Sequence, residues 1–178
     1  INESMGQGFM PVGLEVEAGE SLSVLLVQSE SITVGNWAII DYDDWNALEA
    51  EITGGIRDGF VPMDISRFGG SLAVLWMKSD IPIDGWRIST SPNELNERTQ
   101  TVNKFQGQGF TLWGLSEHEG LMWYLFIRQE GVPPSGVISR FGKDTESIQL
   151  GLVEANQNGW LPNALAGTAD DTFVGFLR

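Results

Sequence analysis

The 178-residue chain carries 24 acidic and 10 basic side chains, a formal charge of −14, with 42% hydrophobic residues and no cysteine. A surface this acidic repels phosphate backbones, which argues against nucleic-acid binding, and the absent thiols exclude disulfide staples, thiolate metal sites and cysteine nucleophiles. No apolar run nears the roughly 18 residues of a membrane helix, so the composition describes a soluble globular chain without membrane insertion, either cytoplasmic or exported.

The predicted elements recur along the chain. Gly8-Phe9, Gly59-Phe60, Gly109-Phe110 and Gly159-Trp160 are spaced 51, 50 and 50 residues apart, and Pro11, Pro62 and Pro162 follow three of them. A fixed period of this length implies one supersecondary unit copied in tandem. Ile1 stands at the same offset from Phe9 as Ile52, Val102 and Leu152 do from their aromatics, so residue 1 is expected inside a helix whose start is missing. Extended segments follow at 11–17, 22–28 and 37–41. A helix is predicted over 44–58, with Trp45, Leu48, Ile52 and Ile56 at helical spacing. Next come a hairpin over 61–78 and a third strand at 85–90.

In the next copy, Ser91-Pro92-Asn93-Glu94 reads as a capping box in which Ser91 caps and Glu94 reaches back. Leu95, Val102 and Phe105 form the apolar stripe of that helix, and strands follow at 111–116, 121–128 and 137–140. The last helix begins near Asp144 and carries Ile148 and Leu152. Each helix ends on a glycine where a left-handed cap is expected.

This pattern predicts an α+β tandem repeat of about 50 residues, each unit a helix followed by an antiparallel three-stranded meander. The expected organisation is a single repeat-built domain over 1–178, with units at roughly 1–43, 44–90, 91–141 and 142–178, the first and last incomplete. The second strands at 22–27 and 121–127 are apolar at successive rather than alternate positions, so each is expected to be covered on both faces. The unit's own helix supplies one cover; internal packing is expected to supply the other, ahead of a partner chain. The helix, Gly-aromatic and hairpin pattern, about 30 residues in each copy, resembles small bacterial domains of unknown function with a helix–Gly-Trp–hairpin core, some of them tandem repeats beside enzymes. That resemblance implies architecture and brings no catalytic residues with it.

Candidate chemistry is sparse. His118, the only histidine, sits between Glu117 and Glu119 and before Gly120, where an imidazole flanked by carboxylates could act as base or ligand. The same place is a hairpin tip, where polar residues and glycine are expected for the turn itself. Asp41, Asp43 and Asp44 lack the spacing of a calcium loop and precede a helix, so capping is their expected role. Ser-Arg-Phe-Gly occurs at 66–69 and at 139–142, out of phase with the repeat, and no Gly-x-Ser-x-Gly elbow or phosphate-binding glycine loop is present. Neither a metal nor a cofactor is expected.

The positions that differ most between copies are the hairpin tips, 17–20, 67–70, 117–120 and 167–171. Stacked units would gather these tips along one rim, which makes Arg67, Phe68, Glu117, His118, Glu119 and Asp170 the candidate binding residues. The expected function is a non-catalytic binding or assembly module for a protein or small polymeric ligand, with a protein partner or self-association. One alternative is a hydrolase using paired carboxylates of the tips, such as Glu117 or Glu119 with Asp170 or Asp171. Another is an acidic inhibitor or immunity-type protein, suggested by ten acids and no base before Arg57.

Overall fold

A computed structural model describes residues 2–17, 21–28, 36–68, 71–79, 81–142, 144–168 and 170–178. In chain order the elements are α1 (Asn2–Gly6), β1 (Phe9–Glu17), β2 (Ser21–Gln28), β3 (Trp37–Tyr42), α2 (Trp45–Arg57), β4 (Phe60–Phe68), β5 (Ser71–Lys78) and β6 (Gly85–Pro92). They continue with α3 (Leu95–Gln106), β7 (Thr111–His118), β8 (Leu121–Arg128), β9 (Val137–Gly142), α4 (Thr145–Gln157), β10 (Leu161–Gly167) and β11 (Asp171–Leu177). The chain is therefore α+β, its strands forming four small antiparallel sheets. No helix among the described residues is long and apolar enough to cross a membrane.

Helix starts follow from local chemistry. The Asp44 carboxylate accepts the Ala47 N–H at 2.9 Å, and that of Asp144 accepts the Ser147 N–H at 2.7 Å. Each satisfies one of the donors that a first helical turn leaves free. At the other ends Gly8, Gly59, Gly109 and Gly159 adopt φ between 78° and 86°, as the left-handed exit of a helix requires.

The capping box expected for α3 is not formed. Ser91 lies within β6, where its hydroxyl shares a 2.7 Å hydrogen bond with the buried Tyr124 hydroxyl. The N-cap is Glu94, which makes no side-chain cap bond. Asp44 and Asp144 succeed at the corresponding position with a side chain one methylene shorter. Glu94→Asp is therefore expected to supply the missing bond and stabilise the fold by about 1 kcal/mol, a rise in Tm of roughly 2–4 °C. An unchanged or lower melting temperature in a calorimetric scan would refute that account.

The expected meander is corrected by the strand order. The sheets run β3-β5-β4, β6-β8-β7 and β9-β11-β10, with β1-β2 as a pair. The third strand of each expected meander thus leaves its own hairpin and pairs with the second strand of the next one. Connection length gives the reason. Two residues join β3 to α2 and two join α2 to β4, whereas eight separate β2 from β3. Short links keep β3, α2 and β4 together as a parallel crossover, and the hairpin partner β5 fits between the two parallel strands.

Cover on both faces, expected for the apolar strands at 22–27 and 121–127, is found over most of β8 and also in β5, but not in β2. Among the described residues β2 pairs only with β1, and Val24, Leu25, Leu26 and Val27 stay partly exposed. In β5, residues Leu72 to Met77 are all buried. The Trp76 indole donates to the Tyr42 hydroxyl at 3.1 Å beneath α2, and β5 also meets β1. In β8, Phe126 stacks on Phe105 of α3 at 4.4 Å, while Trp123 faces the other way and meets Trp45 of α2 at 5.7 Å. One hydrophobic cluster accordingly joins β1, β4, β5 and α2, and a second joins α3, β7, β8, β10 and β11.

The first strands of the four hairpins meet in the middle: β1 touches β4, β4 touches β7, β7 touches β10, and β10 touches β1. Each breaks register once, between Pro11 and Gly13, Pro62 and Asp64, Leu112 and Gly114, and Pro162 and Ala164. Such bulges bend a strand and sharpen its twist. Just past each bulge the N–H groups of Leu14, Ile65, Leu115 and Leu165 face away from their hairpin partners, and one side chain receives all four.

Candidate functional site

That side chain is Asp64, fully buried where the first strands converge. Its Oδ1 accepts the N–H of Ile65 at 2.9 Å and of Leu115 at 2.6 Å; its Oδ2 accepts those of Leu14 at 2.8 Å and Leu165 at 3.1 Å. Burial pushes the carboxyl well above the usual carboxylate range, and the four backbone hydrogen bonds oppose that rise. A strongly perturbed carboxyl often marks an active site. This one is spent on backbone donors and touches no solvent, so its work is to tie four strands together. Gly114 makes room for it, since a Cβ there would stand 2.7 Å from Asp64 Oδ1. Nearby, Asn163 donates from Nδ2 to the carbonyls of Leu112 and Trp113, at 3.1 and 2.8 Å.

The expected rim residues are scattered in their roles. The Arg67 N–H donates to Ser116 Oγ at 2.7 Å, and its guanidinium lies 5.3 Å from the centre of the Trp123 ring. The backbone of Phe68 ends β4 opposite Ser71; its side chain lies outside the described residues, as do tip residues 18–20, 69–70 and 169. Glu117 Oε1 accepts the Gly120 N–H at 2.8 Å and closes its own turn, in which Glu119 takes φ 52°. His118 Nε2 is 4.0 Å from an Oε1 of Glu119 whose side chain is 84% exposed, a loose surface pair. Asp170 is exposed, and its backbone N–H reaches Thr168 Oγ1. Asp171 is taken by Arg140 at 2.7 Å. No described hydrogen bond or ion pair joins Glu117 or Glu119 to Asp170 or Asp171. The described residues include no cluster of three His, Asp or Glu able to hold a metal.

What the fold does assemble is an aromatic pocket that the sequence did not disclose. Trp45, at the start of α2, tilts at 49° against Trp123 of the neighbouring sheet. With Ile88, Ser89 and Thr90 of β6 they line an open pocket of about 250 Å³, and Arg67 stacks on the Trp123 ring. Trp86 locks α2 to this sheet by donating from its indole to Thr53 Oγ1 at 3.2 Å. Along the chain, Trp45 reads as one member of an apolar helical stripe and Trp123 as one member of an apolar strand. Their 78-residue separation hides the pairing, and only Arg67 carried a signal, as a tip residue. Two larger clefts, of about 470 and 450 Å³, share Val137, Trp160 and Arg178.

No protein-family model and no curated protein matches this chain.

Proposed function

We propose that the chain is a non-catalytic binding module whose recognition site is the Trp45–Trp123 pocket, with Arg67 at its edge, and whose ligand is a protein partner. The stacking of Arg67 on Trp123 beside an open pocket carries this reading. Tryptophan and arginine are enriched among the residues that dominate protein interfaces, tryptophan because it buries much area with only two side-chain torsions and arginine because its planar guanidinium both stacks and hydrogen-bonds. A pocket of about 250 Å³ suits one inserted side chain, and the Ser89 and Thr90 hydroxyls can meet the polar backbone around it. None of the clefts described here is lined by two carboxylates, so their chemistry favours the module over a hydrolase.

On the same reading the four helix–hairpin segments are copies of one unit of about 50 residues within a single domain. The four donors to Asp64, at positions 14, 65, 115 and 165, support it by recurring at the spacing of the Gly-aromatic pairs.

Native mass spectrometry of the protein purified from its own source tests the pocket. The wild type is expected to carry the mass of a bound polypeptide, and Trp123→Ala and Arg67→Ala, with unchanged circular dichroism, are expected to lose it. A wild type of one-chain mass, or variants that keep the extra mass, would overturn the proposal.

A further inference from the structure

Arg98 lies on the buried face of α3, beside Val102 and Phe105, and is only 8% exposed. Its Nη1 donates to the Asn93 carbonyl at 3.2 Å and to Asn93 Oδ1 at 2.5 Å, and its guanidinium stands 4.9 Å from the centre of the Phe173 ring. Among the described residues Nε and Nη2 donate to nothing, and no Asp or Glu forms an ion pair with the group. Asp171 is taken by Arg140. Burial, the main influence on the Arg98 pKa, lowers it, as for a cation short of negative partners. A buried charge is costly unless it is paired, yet this one lacks a counter-charge in a chain with 24 acidic side chains. Helix packing does not require it. Fifty residues to either side, α2 has the fully buried Leu48 and α4 has Ile148.

The surroundings suit a small anion with an apolar body. Arg98 lines a groove of about 90 Å³ between α3 and β9, with Leu95, Thr99 and Val102 of the helix and Val137 and Ile138 of the strand. The Thr99 hydroxyl is turned back onto the Leu95 carbonyl at 2.8 Å, which leaves these walls mainly apolar. By reaching to Asn93 the guanidinium also sits beside the first turn of α3. Glu94 gives that turn no side-chain cap, so the N–H groups of Leu95, Asn96 and Glu97 add positive potential there.

We propose that this groove binds a free aliphatic monocarboxylate, with the carboxylate on the Arg98 guanidinium and the chain between Leu95, Val102, Val137 and Ile138. The planar fork of arginine matches the two oxygens of a carboxylate. Leu95 and Val137, exposed at the mouth of the groove, lose contact with water when the chain enters. Volume limits the chain. An apolar cavity of about 150 Å³ takes benzene, so a groove of about 90 Å³ takes an acid of roughly four or five carbons, such as isobutyrate. This site is separate from the Trp45–Trp123 pocket and does not rest on it.

Isobutyrate is the probe, added to the whole chain and followed by NMR at the amides of α3 and β9 and at the Arg98 Nε–H. Saturable shifts in the millimolar range are expected, in Trp123→Ala as in wild type. Isobutyramide, the neutral isostere, and acetate, which lacks the branched chain, are each expected to bind about tenfold more weakly or worse. Arg98→Leu installs the residue that α2 carries at this place, so it is expected to keep its circular dichroism and to lose the isobutyrate shifts. Val137→Asp, at the exposed mouth, tests the site without altering the helix and is expected to weaken binding by about tenfold through repulsion. Equal binding of isobutyramide, unchanged shifts in either folded variant, or no saturation at tens of millimolar would each overturn the proposal. Tighter binding of N-acetylglycyl-valine than of isobutyrate would overturn the free acid as ligand and assign the groove to a polypeptide C-terminus.

Discussion

Asp64→Ala is expected to leave the protein largely unfolded at room temperature. The substitution strands the N–H groups of Leu14, Ile65, Leu115 and Leu165 around a buried void, three of them on strands far away in the chain. A buried donor left without a partner costs about 1–3 kcal/mol. Four such losses rival the roughly 5–15 kcal/mol by which a domain is stable at all. Urea unfolding followed by far-UV circular dichroism measures the effect, and a loss of only about 1 kcal/mol would show that water or backbone rearrangement satisfies the four groups. Gly114→Ala attacks the same node from the other side, because its Cβ would stand 3.0 Å from the Asp64 Cα as well as against the carboxylate. It too is expected to destabilise.

The Asp64 carboxyl also makes stability depend on pH. Burial, the largest influence, raises its folded-state pKa above the ordinary value of about 3.9, so the folded protein holds this proton to higher pH than the unfolded chain does. The contribution of this group is therefore most favourable below about pH 4 and declines as pH rises from there toward the folded pKa. A carbon-13 titration of the Asp64 carboxyl is expected to place its midpoint above about 3.9.

Phe126→Ala is expected to cost about 3–5 kcal/mol, the largest effect of any purely apolar substitution in the α3 cluster. Phe126 is fully buried, stacks on Phe105 at 4.4 Å and lies 5.7 Å from Tyr124, whose hydroxyl is tied to Ser91. The cavity would open where α3 is held to its sheet. Calorimetry or urea titration would register the loss, and a change under about 1 kcal/mol would mean that Phe105 and Tyr124 collapse into the space. Leu150→Ala on α4 provides the contrast. Leu150 is 63% exposed, and its loss is expected to stay within about 0.5 kcal/mol.

Features that depend on a few neighbouring residues were legible in the sequence. The carboxylates of Asp44 and Asp144 cap their helices, and Gly59, Gly109 and Gly159 end them, because each needs only a side chain and a backbone group within one turn. The apolar runs at 22–27 and 121–127 announced strands, because hydrophobic burial must be written into the strand itself. Cover on both faces followed for most of 121–127, whereas Val24 to Val27 stay partly exposed. Which elements would do the covering was not written there. The pairing of β3 with β5 rests on a competition between short and long connections, and Ser91 abandoned its cap for a hydroxyl 33 residues away. Asp64 looks in sequence like one polar residue in a strand, and Trp45, Arg67 and Trp123 belong to three different elements. Their meanings arise from contacts across 50 residues or more. Local propensity determines where the helices and strands of this protein lie, whereas its central carboxylate and its aromatic pocket exist only once the four hairpins have packed.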